Sequence, residues 1–191
     1  EIPESKKYDS KMVIKCPVDV LVYDEDGQCI AELKDKVCQD ETNEFGRFAV
    51  TYDGYLEEYV KTICLSDSQK YTIQVIGNDS GLVSIDYANA NSNNMYEISN
   101  QVIHNKDKML IDIKEIESKQ TYQVELNGEN NYSEGKWNKK NQSYLPIEKL
   151  SLNKNNIELK EGESELLQVE IVPENASSKM VVWKSTDPNV A

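Results

Sequence analysis

The chain carries one histidine, His104, and four cysteines, Cys16, Cys29, Cys38 and Cys64. A hydrolytic triad needs a nucleophile, a base and an orienting acid held together. No GxSxG elbow accompanies His104, which follows Val102-Ile103 in a polar context. A cysteine–histidine pair with Cys64 or Cys38 is conceivable on composition, but the expected role of His104 is that of an ordinary loop histidine. The cysteine spacings match no CxxC-type zinc or redox pattern. In an exported protein the four could close two disulfides, with the connectivity open; alternatively some are small buried apolar residues. Asp24 and Asp26, with Gly27 behind them, have the opening of a calcium loop without a glutamate at the closing distance. Asp26-Gly27 is also a favoured hairpin pair, and a plain turn is the reading adopted over a weak cation site. The 34 acidic residues offer no pair set apart from the solvated background as glycosidase carboxylates would be. With no Gly-rich phosphate loop or metal-ligand cluster either, the chain is read as a non-enzyme without cofactor or metal.

Aromatic residues are the other candidates. Tyr52, Tyr55 and Tyr59 surround Asp53-Gly54. A two-residue turn there would pair Tyr52 with Tyr55 and Phe48 with Tyr59, placing all four with Val50 on one face. Such a cluster is either a sugar-stacking platform or a core and half-buried cross-strand cluster. Trp137 is the fourth candidate ligand contact, the alternative being packing across a domain junction.

The elements that must hold these residues are strands. In the stretch 71–87, Tyr71, Ile73 and Val75 alternate with polar residues, Gly77-Asn78-Asp79-Ser80-Gly81 intervenes, and Val83, Ile85 and Tyr87 alternate again. Period-two alternation gives each run one apolar and one polar face, and a hairpin is predicted. Similar runs follow Pro17 (Val18, Val20, Val22), precede Leu33, flank Asp53-Gly54, and recur at 95–103, 109–113 and 121–126. Helical spacing is scarce, so about eight to ten strands are expected over residues 11–127, with turn signals at sandwich spacing. Residues 128–145 are polar and read as a linker. The expected organisation is therefore all-β: an antiparallel β-sandwich over 1–127, a linker over 128–145, and a second domain over 146–191.

Composition limits the partners. The formal net charge is −13, and Arg47 is the only arginine among 21 basic residues. A chain this acidic is repelled by phosphate backbones and anionic headgroups, so neither nucleic acid nor a membrane surface is an expected partner. No apolar run is long enough to span a bilayer, and no signal-peptide core is present. The chain starts at Glu1 rather than Met, which points to a processed or excised piece.

From Pro146 onward the pattern becomes specific. Leu150-Ser151-Leu152-Asn153, Ile157-Glu158-Leu159, Glu161-Gly162-Glu163, the run 166–172, Pro173-Glu174-Asn175-Ala176, Val181-Val182-Trp183-Lys184-Ser185 and Asp187-Pro188-Asn189-Val190-Ala191 follow in order. Together they resemble the group 2 bacterial immunoglobulin-like (Big) module. That resemblance implies a partial Ig-like β-sandwich on an exported bacterial protein, with Trp183 filling the space between sheets. Lys184 and Thr186 replace usual serines, and the family's remaining strands are missing, so the polypeptide is expected to continue. A second resemblance rests on Cys16-Pro17-Val18-Asp19-Val20-Leu21-Val22-Tyr23-Asp24, Gly27, Ile30-Ala31-Glu32-Leu33 and the stretch 71–87. It is similar to an accessory β module of secreted hydrolases, lipase-like ones included, and of surface proteins of Gram-positive anaerobes. The function these resemblances imply is non-catalytic: spacing, adhesion or recognition at the cell surface or outside the cell. Polysaccharide, a host surface protein and neighbouring domains of the same polypeptide are the expected partners. The alternatives are the accessory C-terminal region of a secreted hydrolase and a carbohydrate-binding module.

Overall fold

The computed structural model describes residues 8–15, 18–34, 39–53, 58–143, 145, 147–160 and 162–176. Two units divide the chain, Glu1–Ser143 and Tyr144–Ala191. In chain order the first unit contains β1 (Ser10–Lys15), β2 (Val18–Tyr23), β3 (Cys29–Leu33), β4 (Gln39–Thr42), β5 (Gly46–Asp53) and β6 (Glu58–Leu65). It continues with β7 (Thr72–Gly77), β8 (Gly81–Asn89), β9 (Asn94–Ile103), β10 (Lys108–Asp112) and a short helix α1 (Ile113–Ser118). It closes with β11 (Thr121–Leu126), β12 (Asn131–Lys136) and β13 (Asn138–Lys139).

These strands form two antiparallel sheets. The first has the order β13-β9-β8-β1-β6-β5-β4, and the second β12-β11-β10-β7-β2-β3. Alternation assigns their faces. Met12, Ile14, Phe48, Val50, Ile63, Val83 and Ile85 come from the first sheet, and Val18, Val20, Val22, Ile73, Val75, Met109 and Ile111 from the second, into one common core. Side chains i and i+2 share a face, so each strand gives every other residue to that layer. Each full burial stabilises by about 1.5–3 kcal/mol relative to exposure, enough to fix which face looks inward. The expected all-β sandwich is what the molecule has.

Connectivity departs from expectation at three places. The runs either side of Asn78-Asp79-Ser80 do not form a hairpin. β7 pairs with β2 and β10 in the second sheet, and β8 with β1 and β9 in the first. The turn therefore crosses between layers. Two strands that each offer an apolar face to one core satisfy the same alternation whether they lie side by side or face to face. In the β5–β6 pair, Tyr52 stands opposite Tyr59 and Phe48 opposite Ile63, so the connection is longer than the two-residue turn that Asp53-Gly54 suggests. The hairpin at Asp26-Gly27 forms as read, joining β2 to β3. The Asp24 carboxylate accepts the backbone N–H groups of Asp26 and Gln28 there, and Gly27 takes φ 77°.

The third departure is the linker. Residues 131–139 are strands of the first unit, which extends to Ser143. β12 adds to β11 in the second sheet and β13 to β9 in the first. Trp137 sits between them with 3% exposure, edge-on to Tyr87 of the first sheet at 6.3 Å and to Tyr122 of the second at 6.1 Å. Gly135 lies flat against the Tyr122 ring, where a Cβ would collide. The segment is a strap across one open side of the sandwich. The Trp137 backbone N–H donates to the Gln120 carbonyl (2.8 Å) and that of Lys140 to the Met95 carbonyl (2.9 Å). The Lys140 ammonium then pairs with Asp86 at 2.7 Å and Glu97 at 2.9 Å. The helix is also additional to the strands expected. Asp112 caps it by accepting the Lys114 N–H (2.9 Å), and Glu115 occupies the acidic position in its first turn.

In the second unit the described residues contain two strands, β14 (Lys149–Leu152) and β15 (Val169–Val172), paired antiparallel with Leu150 opposite Ile171 and Leu152 opposite Val169. The Asn153 side chain accepts the Gln168 N–H at 2.9 Å, closing the end of the ribbon. Gly162 adopts φ 86° in a turn in which the Glu163 N–H donates to the Lys160 carbonyl. Leu150, Leu159 and Leu166 are exposed. Trp183 and the strand expected around it lie outside the described residues.

Candidate functional site

Of the four aromatic residues read as ligand contacts, the structure brings two together. Tyr52 and Tyr59 are cross-strand partners, their rings edge to face with centroids 5.2 Å apart. They share a face with Phe48 and Val50, but those two are in the core whereas Tyr52 is 52% exposed. The pair thus prolongs the apolar face of β5 and β6 past the point where the core covers it. Tyr55 lies outside the described residues. Trp137 is a correction: its ring is enclosed between the sheets, so no ligand can stack on it. Its polar sequence neighbours belong to exposed positions of β12 and β13, which is why the composition around it resembles a linker.

His104 and Asp107 form the closest approach to a catalytic constellation. Asp107 is buried in the turn between β9 and β10, and its carboxylate accepts the His104 N–H (2.9 Å) and the Asn127 N–H (2.9 Å). The His104 Nδ1 lies 3.1 Å from the same carboxylate, and Gly77 N–H donates to the Asp107 carbonyl at 2.9 Å. Burial by itself would raise the Asp107 carboxyl, but the two backbone donors and the imidazole hold it below its ordinary value. These bonds tie together three turns at one end of the sandwich. The side chain of His104 has no other hydrogen bond among the described residues.

No nucleophile meets it. Cys64 lies in the row of Lys11 and Ala88, whereas His104 follows Ile103, which pairs with Gly81. At about 3.3 Å per residue, the seven positions from Gly81 to Ala88 place the two roughly 20 Å apart along the strands. Cys64 is also a poor nucleophile as it stands, because burial pushes its thiol up against the opposing pull of Lys11 and Arg47. Cys29 and Cys64 are both free thiols. Of the two readings left open for the four cysteines, a pair of disulfides is therefore not the one found; Cys16 and Cys38 lie outside the described residues. Cys29 is on an edge strand of the second sheet and Cys64 on an inner strand of the first, so their positions keep them apart.

The opposite end of the sandwich is braced by side chains. Asp9 accepts the Asp67 N–H (2.7 Å) and the Asn91 side-chain amide (3.2 Å). Glu117 of α1 accepts from Ser92 (2.8 Å) and Asn94 (3.1 Å). Beside this end, on the outer face of the second sheet, lies a shallow cleft of about 240 Å³. Its floor is Leu110, which stands opposite Gln123, with Glu134 opposite Gln123 in turn. Thr72, directly across from Asp112, and Thr121 supply hydroxyl groups, and α1 raises one wall carrying Glu115 and Lys119. The sequence shows these residues as unremarkable outward positions of four separate strands. Only the register aligns them, and the Asp112…Glu115 helix-start spacing is the one local signal of the wall.

Comparison with protein families, with characterised proteins and with solved structures finds no match. Among the described residues, no helix is long and apolar enough to cross a membrane, and no group of three His, Cys, Asp or Glu side chains is placed to hold a metal ion.

Proposed function

We propose that this chain is a non-catalytic recognition and spacing module of an exported bacterial cell-surface protein, whose contact surface is the Tyr52–Tyr59 edge and whose partner is polysaccharide. The observation that carries this reading is the edge-to-face pairing of two tyrosines at the rim. Phe48, Tyr71, Tyr87, Tyr96, Tyr122 and Trp137 are buried, and of the two tyrosines of the first unit that are about half exposed, Tyr52 and Tyr132, Tyr52 is the one whose ring is held by an aromatic neighbour. An amphipathic ring of this kind stacks on the apolar face of a sugar at little conformational cost. The absence of catalysis is supported by the use made of His104 and Asp107, which brace turns, and by the unactivated Cys64 thiol. The order of motifs over residues 146–191 supports the second unit as part of a Big-like module, and the acidic charge suits a chain that stays clear of anionic surfaces. The test is retention of the full chain on a panel of insoluble and arrayed polysaccharides, wild type against Tyr52→Ala and Tyr59→Ala. Binding lost in the Tyr52 variant with an unchanged circular dichroism spectrum is the expected result. No binding to any polysaccharide, or equal binding by the variant, would overturn it.

A second reading, the accessory region of a secreted hydrolase, is favoured by the motif that spans Cys16 to Leu33. A GxSxG-bearing α/β domain encoded upstream in the same reading frame would select it; tandem Ig-like repeats downstream would select the first.

A further inference from the structure

We propose that the cleft over Leu110, on the outer face of the second sheet, is a separate binding site for one neutral sugar ring. Its size comes first. At about 240 Å³ it falls below the range of pockets that take drug-sized ligands, and it suits a single ring or a single side chain. Its chemistry comes second. Leu110 offers an apolar floor, and around it stand two hydroxyl groups, one carboxamide and carboxylates, all on adjacent strands in register. Among the described residues, the side chains of Thr72, Thr121, Gln123 and Glu134 make no hydrogen bond within the protein. A pyranose has the complementary surface: one C–H face to lie on an aliphatic floor, and hydroxyl groups at its periphery that both donate and accept.

Charge then narrows the class. Asp112 and Glu134 stand against an anionic ligand such as a uronic acid or a phosphate. Lys119 is engaged by Glu115 at 2.6 Å, which leaves Asp112 and Glu134 as the uncompensated charges, so an amino sugar is the charged competitor against which the neutral class is tested. This site stands independently of the tyrosine edge. Thr72 begins β7 beside the braced end that contains α1, whereas Tyr59 pairs with Tyr52 at the far ends of β6 and β5, in the other sheet.

The experiment is a ¹H–¹⁵N chemical-shift titration of the full chain with methyl glucoside, methyl galactoside, methyl mannoside and N-acetylglucosamine. Glucosamine and glucuronate serve as charged comparisons. At least one neutral probe should give saturable shifts at the amides of Leu110, Asp112, Gln123 and Glu134, with a dissociation constant on the order of millimolar for so few exchanged hydrogen bonds. Gln123 is exposed, so Gln123→Ala should keep the native spectrum and weaken that binding about three- to tenfold. Saturation by glucosamine or glucuronate alone, or no saturable shift with any neutral probe, would overturn the inference. So would binding that is indifferent to Gln123→Ala. Tyr52→Ala should leave these shifts intact; if it abolishes them, the sugar is held at the tyrosine edge, and the cleft falls while the tyrosine reading stands. Shifts lost only in the Gln123 variant, with polysaccharide retention indifferent to Tyr52→Ala, would instead remove the tyrosine edge and leave the cleft as the sugar site.

Discussion

Replacing Trp137 separates a strap that closes the sandwich from a tail that merely lies against it. Trp137→Ala removes a ring 3% exposed and two edge-to-face partners in opposite sheets. Truncating a buried Trp or Phe to Ala costs about 3–5 kcal/mol, part of which is the cavity left behind. Within a domain stability of about 5–15 kcal/mol this is a large fraction. With a urea m-value of about 2 kcal/mol/M, a loss of about 4 kcal/mol moves the unfolding midpoint down by roughly 2 M. Trp137→Phe is the informative companion. Among the described residues the indole N–H is buried without a hydrogen-bond partner, and such a group carries a desolvation cost of about 1–3 kcal/mol. Phenylalanine keeps most of the packing and removes that donor, so its midpoint should stay within roughly 0.5 M of wild type. The assay is urea unfolding of the full chain followed by far-ultraviolet circular dichroism. A Trp137→Ala midpoint within experimental error of wild type would refute the strap. Equal losses for Phe and Ala would show that the N–H, rather than ring packing, is what the site requires.

The remaining expectations concern Asp107 and the two described thiols. Asp107 has a folded-state pKa below its ordinary value of 3.8, so its contribution is fully present above that value and is lost as pH falls through the folded pKa. In Asp107→Asn the acid-side decline of the thermal midpoint should flatten, and stability at pH 7 should fall by about 1.5–3 kcal/mol as charge-assisted bonds are lost; a variant whose acid profile parallels wild type would refute the assignment. Cys29 is exposed, whereas burial raises the Cys64 thiol, so alkylation of the native chain mapped by mass spectrometry should mark Cys29 first, with Cys64 reacting only on unfolding. Equal rates at the two sites would sink that account.

Periodicity reveals the strands but not their neighbours. Val18, Val20 and Val22, or Val83, Ile85 and Tyr87, show from spacing alone that they bury one face. Nothing local tells β7 to sit between β2 and β10 rather than beside β8, because a core between two layers rewards both arrangements alike. Tyr52 stands out by its type, whereas its pairing with Tyr59 emerges only from a register that Asp53-Gly54 suggests differently. Trp137 is legible as an aromatic in polar surroundings, but a strand of exposed residues that ends in one buried ring has the composition of a linker. The cleft is the least legible feature. Leu110, Gln123 and Glu134 are ordinary residues until two separate pairings set them in one row.

β1 lies in the middle of the first sheet, with Met12 between Ile63 of β6 and Tyr87 of β8. Among the described strands of this unit, the first to leave the ribosome is thus the one both halves of the layer need, and it must wait until Tyr87 has been synthesised before its second flank is paired. Distant pairings of this kind make for slow acquisition of the native state. During that interval the backbone N–H and C=O groups along one edge of β1 stay unpaired, an open strand edge of the kind that invites pairing with another chain.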